Sequence, residues 1–214
     1  MPHHGRWQVI VPVKPSQRAK SRLDPPPGVD RADLAHAMAR DTLVAAAASV
    51  GAHEVWVVSA DTAISDFALD LGCSCLADPG AGLNEAVGVG LTAAGSVSSR
   101  VAVLLGDLPA LRPAELTTAL ARCADHPVAA VADRHNEGTT LLTGSGVQLL
   151  PLFGPGSADR HRDRLGAVMV HGTLAGLRCD VDDRADLSAA TALGLGAHTA
   201  SVLAAPMGSS TSRA

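Results

Sequence analysis

The heptapeptide WQVIVPV, residues 7–13, is rich in β-branched residues and almost continuously apolar. A strand with one wet face alternates apolar and polar positions. An unbroken run therefore points to a strand covered on both faces, as in a parallel sheet with helices above and below. Working outward, the same signal recurs in EVWVVS (54–59), in the short stretch 73–77 and in RVAVLL (100–105). Segments of helical period separate these runs. Residues 30–50 carry Leu34, Met38, Thr42, Leu43 and Ala46 at helical spacing, with Asp30 and Asp33 at the positive end of that helix. Asp61 is placed to cap a helix containing Ile64, Phe67, Ala68 and Leu71 that Gly72 ends, and further helices are expected over 84–94 and 113–124. This alternation predicts an α/β fold with a doubly wound, mainly parallel sheet and right-handed crossovers.

The last third is less regular. Residues 128–132, 139–143 and 177–181 read as strands and 184–193 as the last ordered helix. One domain is expected over 1–205, with the small polar residues 206–214 as a frayed tail.

Composition narrows the partners. Apolar residues make up 47% of the chain but aromatics only 2%, with no Tyr, so the core is built from Ala, Val and Leu. Base-stacking platforms need aromatic rings, and a net charge of -4 gives no advantage on a polyanion, so a nucleic-acid partner is not expected. No apolar stretch reaches the roughly 20 residues of a bilayer-spanning helix. With no signal-peptide pattern at the N-terminus, the expected compartment is the cytoplasm. Cys73, Cys75, Cys123 and Cys179 lack a second close pair and read as reduced core thiols.

Ligands of open α/β sheets bind at the carboxyl ends of the strands, and four segments stand out there. KPSQRAKSRL (14–23) carries Lys14, Arg18, Lys20 and Arg22 without an acidic residue, a concentrated cationic loop in an acidic protein. In LLGDLPAL (104–111), Asp107 leaves an apolar strand, where a carboxylate suits Mg2+, a hard cation that shares its shell with substrate phosphates. In CDVDDRADL (179–187), strand alternation puts Asp180 and Asp182 on one side, and a bound cation would offset their mutual repulsion. Asp183 reads as a helix cap and Asp186 as first-turn charge. In FGPGSADRHRDR (153–164), two glycines bracket a proline before a helix that Ser157 is expected to cap, a favourable anion site. Ser157 has no His/Asp pairing for a nucleophilic role and reads as a binding residue, while His161 reads as part of a solvated helix face.

The basic loop, LLGDLPAL, EGTT (137–140), FGPGS (153–157) and GLRCDVD (176–182) together resemble the phosphoenolpyruvate or 2-phospho-L-lactate guanylyltransferase family of coenzyme F-420 biosynthesis, especially its actinobacterial members. The resemblance runs from about Trp7 to Leu195. It implies the nucleotidyltransferase sheet of the molybdopterin-guanylyltransferase type, with a glycine-free first loop. It further implies that Asp107, Asp180 and Asp182 bind Mg2+, as two ions, and that Thr139, Gly154 and Ser157 hold phosphoenolpyruvate. Lys14, Lys20 and Arg22 would neutralise the GTP triphosphate, and Asn84 in GLNEA (82–86) would contact the nucleotide. The implied reaction joins GTP to phosphoenolpyruvate, giving enolpyruvoyl-diphospho-guanosine and pyrophosphate; 2-phospho-L-lactate is the alternative acceptor. The resemblance leaves room for a homodimer and for handover of product to the next transferase. Two other readings compete. A dehalogenase-type phosphatase also pairs aspartates, but after its first strand. A non-catalytic nucleotide-binding or phosphometabolite-binding regulator would keep the cationic loop without needing three separated carboxylates.

Overall fold

The computed structural model describes residues 5–14 and 23–205. The chain begins with β1 (Gln8–Val13), α1 (Arg31–Val50), β2 (Val55–Ser59), α2 (Thr62–Asp70) and β3 (Ser74–Ala77). It continues with α3 (Leu83–Gly95), β4 (Arg100–Leu104), α4 (Pro113–Cys123), β5 (Val128–Ala132) and β6 (Thr139–Ser145). The last elements are α5 (Ser157–Leu165), β7 (Val168–Met169), α6 (Arg184–Leu193) and α7 (Ala197–Ala204). Among the described residues the seven strands form one sheet in the order β3-β2-β1-β4-β6-β5-β7. All neighbours pair in parallel except β6, which runs antiparallel to both β4 and β5.

Each residue of β1 is buried, as the unbroken apolar run requires. Val9 and Val11 pack on one face with Leu43 of α1, Ile64 of α2 and Leu116 of α4. Ile10 joins Val58, Val103 and Leu142 on the other face, with Ala86 and Val87 of α3. The α3 backbone approaches β1 closely: a Cβ at Gly90 would lie 2.3 Å from Ile10 Cγ2. Small side chains thus set the spacing of the layers.

Asp30 caps α1 and Asp61 caps α2, each accepting from two backbone N–H groups. Asp183 caps α6 in the same way, and Asp186 completes the capping box by accepting from the Asp183 amide. Two expectations fail and one strand was not foreseen. Residues 177–181 do not form a strand: Arg178 N donates to Leu174 O and Cys179 N to Gly176 O, so the chain turns there under the Asp107 loop. Gly176 makes that packing possible, since a Cβ on it would sit 2.2 Å from Ala110 O. The two-residue β7 was too short to show a period. Finally, α6 is not the last ordered helix. The cap that starts α7 is remote in sequence, because buried Asp41 on α1 accepts from His198 N at 3.0 Å and Thr199 N at 2.8 Å. The expected tail at 206–214 lies outside the described residues.

Asp41→Ala removes this cap and leaves two amides at the start of α7 without their carboxylate. The expected loss of about 1–2 kcal/mol is measurable by urea unfolding.

Candidate active site

Parallel strands β1 and β4 end at the same sheet edge, and antiparallel β6 begins there. The residues after β1 and β4 therefore meet the first residue of β6. Behind this edge lies a cavity of about 420 Å3, within the usual range for small-molecule sites. Lys14, Asp107, Thr139, Gly154, Ser157, Asp180 and Asp182 all line it, although they come from five separate segments. Lys20 and Arg22, with Arg18, lie outside the described residues.

The Asp107 loop is anchored on both sides. Leu108 N donates to Thr42 Oγ1 of α1 at 3.0 Å, and Val181 N donates to Asp107 O at 3.1 Å. That second bond brings Asp180 and Asp182 to the cavity without a strand. Asp186 Oδ2 accepts from Asp182 N at 3.2 Å, while Asp186 Oδ1 faces Arg134 and His135, each at 3.4 Å. Asp186 thus holds the segment that presents Asp182, a larger role than first-turn charge. Among the described residues, no three His, Cys, Asp or Glu side chains form a ready-made metal cluster. The donor set at the cavity is carboxylate oxygen, which suits a hard cation that completes its shell with substrate phosphates and water.

Sequence reasoning passed over Asp133, which follows β5 and is buried at the same edge. Its Oδ1 accepts from His135 N and Glu137 N, both at 3.0 Å, and its Oδ2 accepts from Gly138 N at 2.6 Å. This carboxylate folds the turn that delivers Thr139. His36 of α1 also lines the cavity and pairs with Asp61 at 2.7 Å.

The FGPGS loop is pinned from two directions. Asn84 Oδ1 accepts from Phe153 N at 2.8 Å and its Nδ2 donates to Phe153 O at 3.2 Å. Both ends of that amide are thus engaged in holding the loop. Arg160 donates through Nε and Nη2 to Leu152 O. Gly154 and Gly156 adopt positive φ of 122° and 70°, which L side chains seldom reach. Gly156, not Ser157, is the N-cap of α5, and no side chain caps that end. Ser157 is instead the buried first helical residue. Its amide is turned back onto Gly154 O.

His161 is the largest departure from expectation. It is fully buried instead of solvated, with Thr139 Oγ1 2.9 Å from its Nδ1 and Leu152 N donating to its Nε2 at 3.2 Å. The ring also meets Phe153 edge-on, with centroids 5.0 Å apart. Ala158 and His161, three apart, share the buried face of α5, and this spacing was the legible signal. Its partners, in contrast, come from outside the helix. Burial, together with the neighbouring Arg160 charge, pushes the imidazole from its ordinary 6.5 down to about 4.

This doubly wound sheet, with its polar cavity at the carboxyl edge, has the architecture of a nucleotidyltransferase. A nucleotidyl transferase from Methanothermobacter thermautotroptrophicus superposes with a TM-score of 0.59 at 18% identity, covering 88% of this chain and 98% of that one. A 4-diphosphocytidyl-2C-methyl-D-erythritol synthase from Anaerococcus prevotii gives a TM-score of 0.59 at 11% identity, covering 87% and 95%. These similarities establish the fold. Residues 7–203 match the family described as guanylyl transferase CofC like, and the chain belongs to that family. A phosphoenolpyruvate guanylyltransferase of Geodermatophilus obscurus is 46% identical over 92% of this chain and 94% of its own length. Those of Streptomyces scabiei and Mycobacterium leprae are 44% and 42% identical, covering 93% and 92% of this chain and 96% and 93% of their own lengths.

The His161 environment carries a pH signature. The unfolded chain takes up a proton near 6.5 and the folded ring only near about 4, so between these values the unfolded state binds more protons. Stability is therefore full above 6.5 and falls as the pH drops toward 4. Urea unfolding of His161→Gln should show a clearly smaller loss between about pH 7 and about pH 5 than the parent protein.

Proposed function

We propose that this protein is a Mg2+-dependent phosphoenolpyruvate guanylyltransferase, forming enolpyruvoyl-diphospho-guanosine and pyrophosphate from phosphoenolpyruvate and GTP. The observation that carries the reading is the convergence of Lys14, Asp107, Asp180 and Asp182 with Thr139, Gly154 and Ser157 around one cavity. The carboxylates would hold the metal and the FGPGS loop the acceptor anion, and both line the same cavity. The names of the relatives support phosphoenolpyruvate over 2-phospho-L-lactate as acceptor. On the family resemblance, the product would enter coenzyme F-420 biosynthesis, where a transferase would consume it.

Asp107, Asp180 and Asp182 would hold Mg2+, which when bound supplies charge neutralisation for the triphosphate and for the departing pyrophosphate. Lys14, directly after β1, lines the cavity and would balance the remaining phosphate charge, with Lys20 and Arg22 further along the sequence proposed to assist. Thr139, Ser157 and the Gly154 backbone would hold the acceptor with one phosphate oxygen directed at the α-phosphorus. In the transfer, that oxygen forms a new P–O bond in line while the bond from the α-phosphorus to the bridging oxygen breaks, and pyrophosphate leaves with that electron pair. The acceptor phosphate is already anionic near neutral pH, so no general base is needed. Catalysis then rests on alignment and electrostatic stabilisation. The neutral, buried state of His161 agrees with this division of labour. Asn84, with its amide committed to Phe153, would act by holding the loop that carries Gly154 and Ser157.

Asp107→Asn keeps the loop geometry but removes the charge. It should lower pyrophosphate release from GTP and phosphoenolpyruvate by roughly a hundredfold or more, with an unchanged circular dichroism spectrum. Near-normal turnover would sink the metal assignment. Orthophosphate release by the parent protein would point to a phosphatase, and release of neither product to a binding regulator.

A further inference from the structure

Thr139 and His161 are 1% and 0% exposed and meet beneath the cavity floor, and the direction of their hydrogen bond follows from a third group. Leu152 contributes a backbone N–H, which can only donate, and it points at His161 Nε2 from 3.2 Å. Nε2 must therefore offer its lone pair. A neutral imidazole has one proton, and it then resides on Nδ1. Nδ1–H faces Thr139 Oγ1 at 2.9 Å, so the ring donates and the hydroxyl accepts. With that lone pair taken by an N–H, the hydroxyl hydrogen of Thr139 must turn elsewhere. Thr139 lines the cavity, and among the described residues its hydroxyl meets the His161 side chain.

We propose that His161 is a positioning residue that fixes the Thr139 hydroxyl as a hydrogen-bond donor to the anionic acceptor. The inference rests on the acceptor reading given above. In the opposite arrangement, Thr139 would donate to the ring and turn only lone pairs toward an oxyanion, which would repel it. The ring orientation is itself held in place. Arg160 grips Leu152 O through Nε at 3.1 Å and Nη2 at 2.9 Å, and Asn84 grips the backbone of Phe153 at both its N and its O. The Phe153 ring packs edge-on against the imidazole. Arg160 and Asn84 thus act through the backbone of residues 152 and 153 on the tautomer of His161, and through it on the donor direction of Thr139. Because burial keeps the ring neutral well below neutral pH, the arrangement persists throughout the physiological range.

Two measurements test this on the intact protein. Long-range proton–nitrogen spectra of the 15N-labelled enzyme should show His161 as the Nδ1–H tautomer near neutral pH, whether phosphoenolpyruvate is present or not. An Nε2–H tautomer overturns the proposal without reference to activity. Kinetics separate the two ring nitrogens. His161→Asn places an amide donor near the Nδ1 position, whereas His161→Gln places a carbonyl near Nε2 and leaves Thr139 without its donor. The KM for phosphoenolpyruvate should rise roughly tenfold or more in the Gln variant, while the Asn variant stays several-fold closer to the parent and the KM for GTP is unchanged in both. Thr139→Val should reproduce the Gln defect, and combining the two changes should add little. Equal KM increases in the Asn and Gln variants, or additive losses in the double variant, would refute the coupling. If neither variant folds, the tautomer spectrum of the parent still decides. A parent protein that releases no pyrophosphate refutes the acceptor reading separately, with the tautomer result standing on its own.

Discussion

The antiparallel seating of β6 between β4 and β5 is the constraint on which the site depends. Had β6 run parallel, Thr139 would lie at the far edge of the sheet. As it is, the start of β6 sits beside the ends of β1, β4 and β5, so that Val13, Leu104 and Ala132 feed their following residues into the same space. The ladder from Arg100↔Ser145 to Leu104↔Leu141 fixes this register. A one-residue slip would turn Thr139 to the other face. The cavity is therefore a consequence of backbone pairing before any side chain contributes to it.

On this frame, buried polar side chains form the walls. Asp133 gathers three amides of the turn before Thr139, Asp186 holds the segment before α6, and Asn84 and Arg160 hold the peptides before Gly154. Each satisfies backbone groups that would otherwise lose hydrogen bonds on burial, and each thereby limits how far the cavity lining can relax. Preorganisation of this kind is what catalysis by positioning requires, because interactions already in place need no reorganisation during the transfer.

Parts of this were legible in the sequence because they depend on local chemistry. Asp30, Asp61 and Asp183 were readable as caps, since a cap satisfies amides two and three residues ahead. Asp107, Asp180 and Asp182 stood out as carboxylates at the ends of apolar segments, and all three line the cavity. The strand expected over 177–181 did not form even so. Apolar Leu177 and Val181 are buried, but by turns packed under the Asp107 loop, and periodicity alone does not distinguish the two over five residues. Ser157 has the composition of a cap, yet Gly156 takes that place because its positive φ directs the chain into α5.

The sequence by itself determined the layering and the carboxylate and glycine segments, because hydrophobic period and residue chemistry are properties of neighbouring positions. Only the tertiary structure decided the partners of those residues. His161 meets Leu152 and Thr139 across separations of 9 and 22 residues, and Asp41 caps a helix more than 150 residues away. No local pattern encodes such pairs. They arise where packed layers bring buried polar groups together, and the requirement that each buried donor find an acceptor then sets the direction of every bond.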